Sequence, residues 1–255
     1  MSNGVAAGSG RGHAKLAVLG KGGSGKTLLA SLLVRALSGR GLMVLAVDLD
    51  ANPGLAVSLG IPPYDLALPE AAVEERADAA YGWGLAEDLT PAEAVRRYAI
   101  RVADRVSFLG YGNMATIDTP LHRYLSAVRQ VASGFDEPGW AVVVDLAAGP
   151  TTAFEGYARL ASLALVTVAP TPTSILTGKR LAAILADDGI TTGVVVMHSE
   201  PEDGSEAVVD WTKPLTTVPF DPEIRRLSRA GSLEGLAADS PALAAVEGLV
   251  TKLGF

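Results

Sequence analysis

Cysteine is absent from the 255 residues, which removes disulfides, thiolate metal sites and protein-ligated iron–sulfur clusters together. Histidine is scarce: His13, His122 and His198 are the only three, and no spacing among them resembles a closed metal-binding set. Aromatic residues are 5% of the chain against 49% hydrophobic residues in all, so a core has to be assembled from Ala, Val and Leu. That suits buried parallel strands covered by helices and disfavours an aromatic-rich all-β fold. Basic charge is short as well, and a formal net charge of −7 argues against an affinity resting on broad phosphate neutralisation. No stretch reaches the ~18 apolar residues of a membrane span, and residues 1–13 lack the apolar run of a signal peptide. The expectation is a cytoplasmic protein with a flexible tail over residues 1–13 and a single domain over residues 14–255.

What is present is an alternation of two patterns. Residues 15–19 form a short apolar run that stops at glycine, and residues 26–38 then place Leu29, Leu32, Leu33 and Leu37 at helical spacing. Gly39 and Gly41 close that helix, and residues 43–47 form a second apolar run ending in Asp48, Leu49 and Asp50. Further runs at 106–109, 141–144, 163–168 and 194–197 are bounded by Gly, Pro or Asp, with a helical segment at 172–186. The pattern predicts an α/β fold, a doubly wound and mostly parallel sheet with helices on both faces. Residues 61–98, rich in Ala, Glu and Pro, are expected to form helices and loops outside the sheet.

Between the first run and the first helix stand Gly20, Lys21, Gly22, Gly23, Ser24, Gly25, Lys26 and Thr27, which satisfy the Walker A spacing of a P-loop NTPase. Glycines let successive N–H groups face an anion, and the following helix N-terminus adds partial positive charge. Lys26 then meets the outer phosphates, and Thr27 offers a hydroxyl to Mg²⁺. ATP with magnesium is the expected ligand, with Leu28 continuing the contact. Asp48 and Asp50 end a strand at the carboxyl edge of the sheet, where open α/β folds bind ligands. Asp145 ends the apolar run 141–144 in the Walker B manner, suited to hold magnesium-bound water. Gly149 lets the next loop approach a γ-phosphate.

Lys21 makes the loop resemble the deviant Walker A motif of the ATPase family that contains MinD, ParA, the nitrogenase iron protein and metal-insertion ATPases. The resemblance implies an ATP-dependent homodimer in which Lys21 reaches the partner's phosphates. It also implies that Asp48 serves magnesium through water and that Asp50 orients or deprotonates the attacking water, with Lys21, Lys26 and Asp50 as the catalytic set. Residues 46–55, then Leu59 and Gly60, look like the CooC-type nickel-insertion branch, as do residues 165–174 and 218–225. By that likeness Pro219 and Phe220 lie beside adenine, and His198 stands where the family often has an adenine-reading Asn. The branch's Cys-X-Cys is missing from residues 111–119, so nickel binding by thiolates is excluded.

The resulting reading is a magnesium-dependent ATP-binding and ATP-hydrolysing dimeric switch acting on a client protein, in metalloenzyme maturation. Three alternatives compete with it. A ParA-like DNA-segregation protein would use Arg225, Arg226 and Arg229, or Arg96, Arg97, Arg101 and Arg105. On one helix the second set would be spread around the axis, as a solvated face is. A MinD-like membrane binder would use Leu243, Val246, Leu249, Val250, Leu253 and Phe255, but Lys252 is the only basic residue there and docking on the sheet is expected. The third alternative is a nucleotide-bound scaffold with little turnover. No strong nucleic-acid or membrane signal is present.

Overall fold

The computed structural model describes residues 13–50, 52–62, 68–110, 122–150, 153, 155–198 and 210–255. The chain opens as a strand–helix–strand unit: β1 (His13–Gly20), α1 (Lys26–Gly39) and β2 (Met43–Leu49). A short helix α2 (Gly54–Ser58) follows, then a small hairpin of β3 (Val73–Glu75) and β4 (Trp83–Leu85), and helix α3 (Pro91–Tyr98). Next come β5 (Ile100–Ala103), β6 (Val106–Gly110), α4 (His122–Gly134) and β7 (Trp140–Leu146). β8 (Leu163–Val168), α5 (Pro172–Asp187), β9 (Thr192–Met197), β10 (Thr216–Val218), α6 (Pro222–Ala230) and α7 (Pro241–Lys252) complete the described elements.

Eight strands form one sheet in the order β10-β9-β8-β1-β7-β2-β6-β5, parallel throughout except for β5. Successive side chains point to opposite faces, and here both faces are covered. Leu16, Val18, Val44, Ala46, Val143 and Leu165 enter a core shared with α1, α2, α6 and α7. Their neighbours Ala17, Leu19, Leu45, Val47, Val144 and Val166 enter a second core with α3, α4 and α5. Double-sided burial is why these strands read as continuous apolar runs rather than as alternating ones. Four helices begin alike, with Thr90, Thr171, Asp221 or Ser240 accepting a hydrogen bond from the first turn and a proline directly after. The oxygen satisfies an orphan amide, and proline occupies a position that needs no donor.

The expected doubly wound sheet is therefore observed, with four local corrections. His13, expected to end the tail, already pairs with Trp140 in β1, whereas residues 1–12 lie outside the described residues. Residues 61–98 do stay outside the large sheet, but they include a hairpin that a reading of helices and loops omits. Its three-residue strands are too short for a periodic signal, and they lean on α4: Gln130 accepts from Leu85 N–H at 2.8 Å, and Arg123 covers the Trp83 ring at 3.7 Å. Arg96, Arg97, Arg101 and Arg105 share no helix. The first two lie on α3, Arg101 on β5, and Arg105 donates to the Gly41 carbonyl. Last, residues 100–103 and 216–218 add the two edge strands, which the sequence reading did not include.

The C-terminal apolar stripe is consumed internally. Leu243, Val246, Leu249, Val250 and Leu253 are buried in the core with α1, and each such burial contributes roughly 1.5–3 kcal/mol. Turning them toward a membrane would first forfeit that packing. Among the described residues no helix is long and apolar enough to cross a membrane.

Candidate nucleotide site

The carboxyl ends of β1 and β8 meet where the chain order reverses across the sheet, the crevice in which open α/β folds take ligands. The loop after β1 turns here into α1. Gly20 is buried so tightly that an added Cβ would sit 2.2 Å from Thr167 Oγ1 and 2.7 Å from the Thr167 carbonyl oxygen. Gly25 has φ 86°, left-handed backbone that glycine adopts without strain, and a Cβ added there would stand 3.1 Å from the Met197 side chain at the end of β9. Ser24 N–H donates to the Lys21 carbonyl at 3.1 Å and closes the turn. Lys26 is 7% exposed and so held at the loop. Lys21 is exposed, and its side chain makes no hydrogen bond or ion pair among the described residues.

The acids gather on the α1 side of the sheet. β2 and β7 are neighbours with Asp48 directly opposite Asp145. Thr27 Oγ1 donates to Asp145 Oδ2 at 2.7 Å, whereas Asp145 Oδ1 is enclosed without a hydrogen-bond partner among the described residues. Burial pushes the Asp145 carboxyl up to about 6, against the opposing pull of the Thr27 hydrogen bond and the Lys26 cation. Burial and then the Asp145 charge raise Asp48 well above the usual carboxylate range. Asp48 also has a structural duty that its motif position did not disclose. Its Oδ1 accepts from Asp50 N–H and its Oδ2 from Leu55 N–H, both at 3.0 Å, tying β2 to α2. Asp50 is half-buried and uses Oδ1 to accept from Asn52 N–H at 3.0 Å. Gly149, at φ 94°, donates its N–H to the Gly20 carbonyl at 3.1 Å, so the loop after Asp145 rests on the first glycine of the phosphate loop.

A hydroxyl and a carboxylate with an unsatisfied oxygen are hard donors of the kind magnesium takes, and the Thr27–Asp145 pair fits that ion. Thiolate chemistry has no ligand here.

Where the start of α1 meets the residues that follow β9 and β10 lies a cleft of about 440 Å³, within the common range for small-molecule pockets. It brings together His198, Pro219 and Phe220, the three base-side residues expected from the family likeness, with Leu28, expected only to continue the contact of the phosphate loop. The cleft adds Ile224, Arg225, Ser228 and Arg229 from α6; the sequence reading places Arg225 both in the family-like segment and, with Arg229, among candidate contacts for nucleic-acid phosphates, and gives Ile224 and Ser228 no role. Their i, i+4 spacing on a helix beginning at Asp221 was the available signal. Arg225 stands over the Phe220 ring at 5.9 Å, whereas Arg226 faces away in a pair with Glu223 at 2.7 Å. Asp221 reaches the cleft wall but is committed: Oδ1 caps α6 and Oδ2 accepts from Ser240. Residues 111–119 and Ser199, with the side chains of His13 and His122, lie outside the described residues.

Residues 16–232 match the CobQ/CobB/MinD/ParA nucleotide binding domain. The chain belongs to that family. Proteins similar to it include an uncharacterised ATP-binding protein of Methanocaldococcus jannaschii, 30% identical over 240 residues and covering 82% of this chain and 86% of the relative. The carbon monoxide dehydrogenase accessory protein CooC of Rhodospirillum rubrum is 27% identical over 233 residues, covering 85% and 88%. Among solved structures, the septum site-determining protein MinD of Pyrococcus horikoshii, in complex with Mg-ADP, superposes with a TM-score of 0.71 at 19% identity, covering 95% of this chain and 96% of that one. At that identity the likeness establishes the CobQ/CobB/MinD/ParA fold alone. The family match makes this chain a nucleotide-binding domain of P-loop NTPase architecture, with the loop and the two acid-bearing strands inside the matched residues.

Proposed function

We propose that this chain is a magnesium-dependent ATPase of the cytoplasm that dimerises on binding ATP and acts as a switch on a client protein. The observation that carries the reading is the Thr27 hydroxyl 2.7 Å from a buried Asp145 whose second oxygen has no partner among the described residues, directly beside the glycine loop. Thr27 and Asp145, the latter through water and joined by Asp48, would hold Mg²⁺. When bound, the ion would neutralise phosphate charge and orient the triphosphate.

The remaining work belongs to the chain's own groups. Amides of the loop and the α1 N-terminus receive phosphate oxygens, and Lys26 places a fixed cation among them. Gly149 N–H is engaged with the Gly20 carbonyl. A γ-phosphate competing for that donor links occupancy to the loop that follows Asp145. Asp50, with one carboxylate oxygen not engaged by any described hydrogen bond, orients or deprotonates water. Phosphoryl transfer depends mainly on positioning and charge, so no elevated carboxylate pKa is needed for this role. Lys21, exposed and unpaired among the described residues, is suited to reach across to the phosphates of a second copy.

The cleft at Phe220 receives adenine, with His198 at its edge. Work on a metalloenzyme client is supported by the similarity to the carbon monoxide dehydrogenase accessory protein, and without cysteine such work would not pass a metal through thiolates. The dispersed arginines and the buried α7 stripe favour this reading over DNA or membrane binding.

Lys26→Ala tests the assignment. Losing the charge-assisted contact should weaken ATP binding by about 2 kcal/mol or more, and phosphate release should disappear in the variant and in chelator-treated wild type. Wild-type affinity in the variant, read by calorimetry, would overturn the site.

A further inference from the structure

We propose that the Thr167 hydroxyl is a positioning group for the phosphate loop, holding it in its anion-receiving shape before any phosphate arrives. The inference rests on the nucleotide reading of the loop.

Thr167 sits at the end of β8, opposite Gly20 in the parallel register. Its hydroxyl donates to the Leu19 carbonyl at 3.0 Å, which uses its single proton. The Ser24 hydroxyl, 2.7 Å away, is therefore the donor in the second bond, with Thr167 Oγ1 accepting. Both groups are sealed from water, Thr167 at 1% and Ser24 at 2% exposure. Neither can exchange this partner for solvent without opening the site.

The latch and the first glycine form one device. Any Cβ at position 20 would stand 2.2 Å from Thr167 Oγ1 and 2.4 Å from Ser24 Oγ, so the close approach of the hydroxyls needs glycine there. The loop is otherwise held by backbone bonds, Ser24 N–H to Lys21 and Gly149 N–H to Gly20. Thr167 supplies a side-chain tie, from 143 residues away, that fixes the bend of the loop to a strand of the central sheet.

Such a tie has a physical purpose. Convergent N–H dipoles repel one another when no anion lies between them, and a glycine-rich segment loses much conformational entropy on ordering. A buried bond that orders the loop in advance removes that cost from the binding step.

Thr167→Val keeps the β-branched shape and removes the acceptor, leaving the Ser24 hydroxyl buried without a partner. Thr167→Ser keeps the hydroxyl. In Thr167→Val, calorimetry should show ATP and ADP binding about tenfold weaker, the size of one net hydrogen bond. Hydrogen exchange of the nucleotide-free protein should accelerate at the amides of residues 21–25 and not in β1 or β8. Thr167→Ser should recover most of both.

Equal behaviour of Thr167→Val and wild type would overturn the proposal. So would equal loss in Val and Ser, which would point to the methyl group, or exchange spreading through β8, which would make the role merely structural. If wild type itself binds no ATP, the functional reading fails, whereas the exchange measurement still decides whether the latch orders the loop.

Discussion

Asp145→Asn should stabilise the nucleotide-free protein at neutral pH while abolishing its response to Mg-ATP. Asp145 is 1% exposed, and burial raises its carboxyl from 3.8 to about 6. At about 1.4 kcal/mol per pH unit, the ionised form costs the fold about 3 kcal/mol. Because the folded-state pKa lies above the unfolded one, this group's contribution is most favourable below pH 3.8 and is lost as pH rises through about 6. Asp48, raised for the same reason, adds in the same direction. Asparagine keeps an acceptor for the Thr27 hydroxyl and carries no charge. Nucleotide-free wild type and Asp145→Asn should thus melt alike only below pH 3.8, with a gap that opens as pH rises from 3.8 to about 6 and stays nearly constant above that, the variant being higher. For a domain of this size the gap corresponds to roughly 6–12 °C at full ionisation. Calorimetric melting from about pH 3.5 to 8 measures it, and a second series with Mg-ATP at neutral pH should reverse the order, since only the wild type binds the complex. A variant that melts below the wild type at pH 7.5, or a gap that does not change with pH, would refute the claim that an ionised, desolvated carboxylate is stored at this site.

Lys21→Ala should lose ATP-dependent dimerisation and hydrolysis while monomeric ATP binding survives; Asp50→Ala should keep both ATP and the dimer and lose hydrolysis. Light scattering in ATP paired with phosphate release reads both, and two monomeric variants, or two of wild-type behaviour, would rule out the sandwich dimer. Phe220→Ala should weaken ATP binding by about 1–2 kcal/mol through lost stacking and leave inorganic tripolyphosphate affinity unchanged, as a competition titration would show. Gly20→Ala forces a Cβ against the Thr167 carbonyl oxygen and should lower stability by about 1–3 kcal/mol along with nucleotide affinity; a wild-type melting midpoint would contradict the described packing.

Much of the site was legible because its signals are local. Strand, glycine loop and helix follow one another within residues 13–39, and each is written in its own composition: an apolar run, a Gly-Gly-Ser-Gly turn, and leucines at helical spacing. Asp48 and Asp145 were visible as acids ending apolar strands. His198, Pro219 and Phe220 were named through family likeness rather than pattern and Leu28 as the continuation of the loop, and the fold gathers the four around one cleft. The hairpin β3–β4 and the edge strands β5 and β10 were not legible, because strands of three or four residues acquire their conformation from a pairing partner and from what packs on them.

By itself, then, the sequence determined the parallel α/β architecture and the presence of a phosphate loop with its lysine, since periodicity and glycine spacing act over a few residues of chain. Only the tertiary structure decided how those parts are used. It engaged both Asp48 oxygens with the amides of Asp50 and Leu55, while leaving one Asp145 oxygen without a partner among the described residues. It divided Arg225 from Arg226 on one helix and joined Ser24 to Thr167 across 143 residues. Each of these turns on which polar atom meets which in a space closed to water, and a buried hydrogen bond between distant residues leaves no periodic trace along the chain.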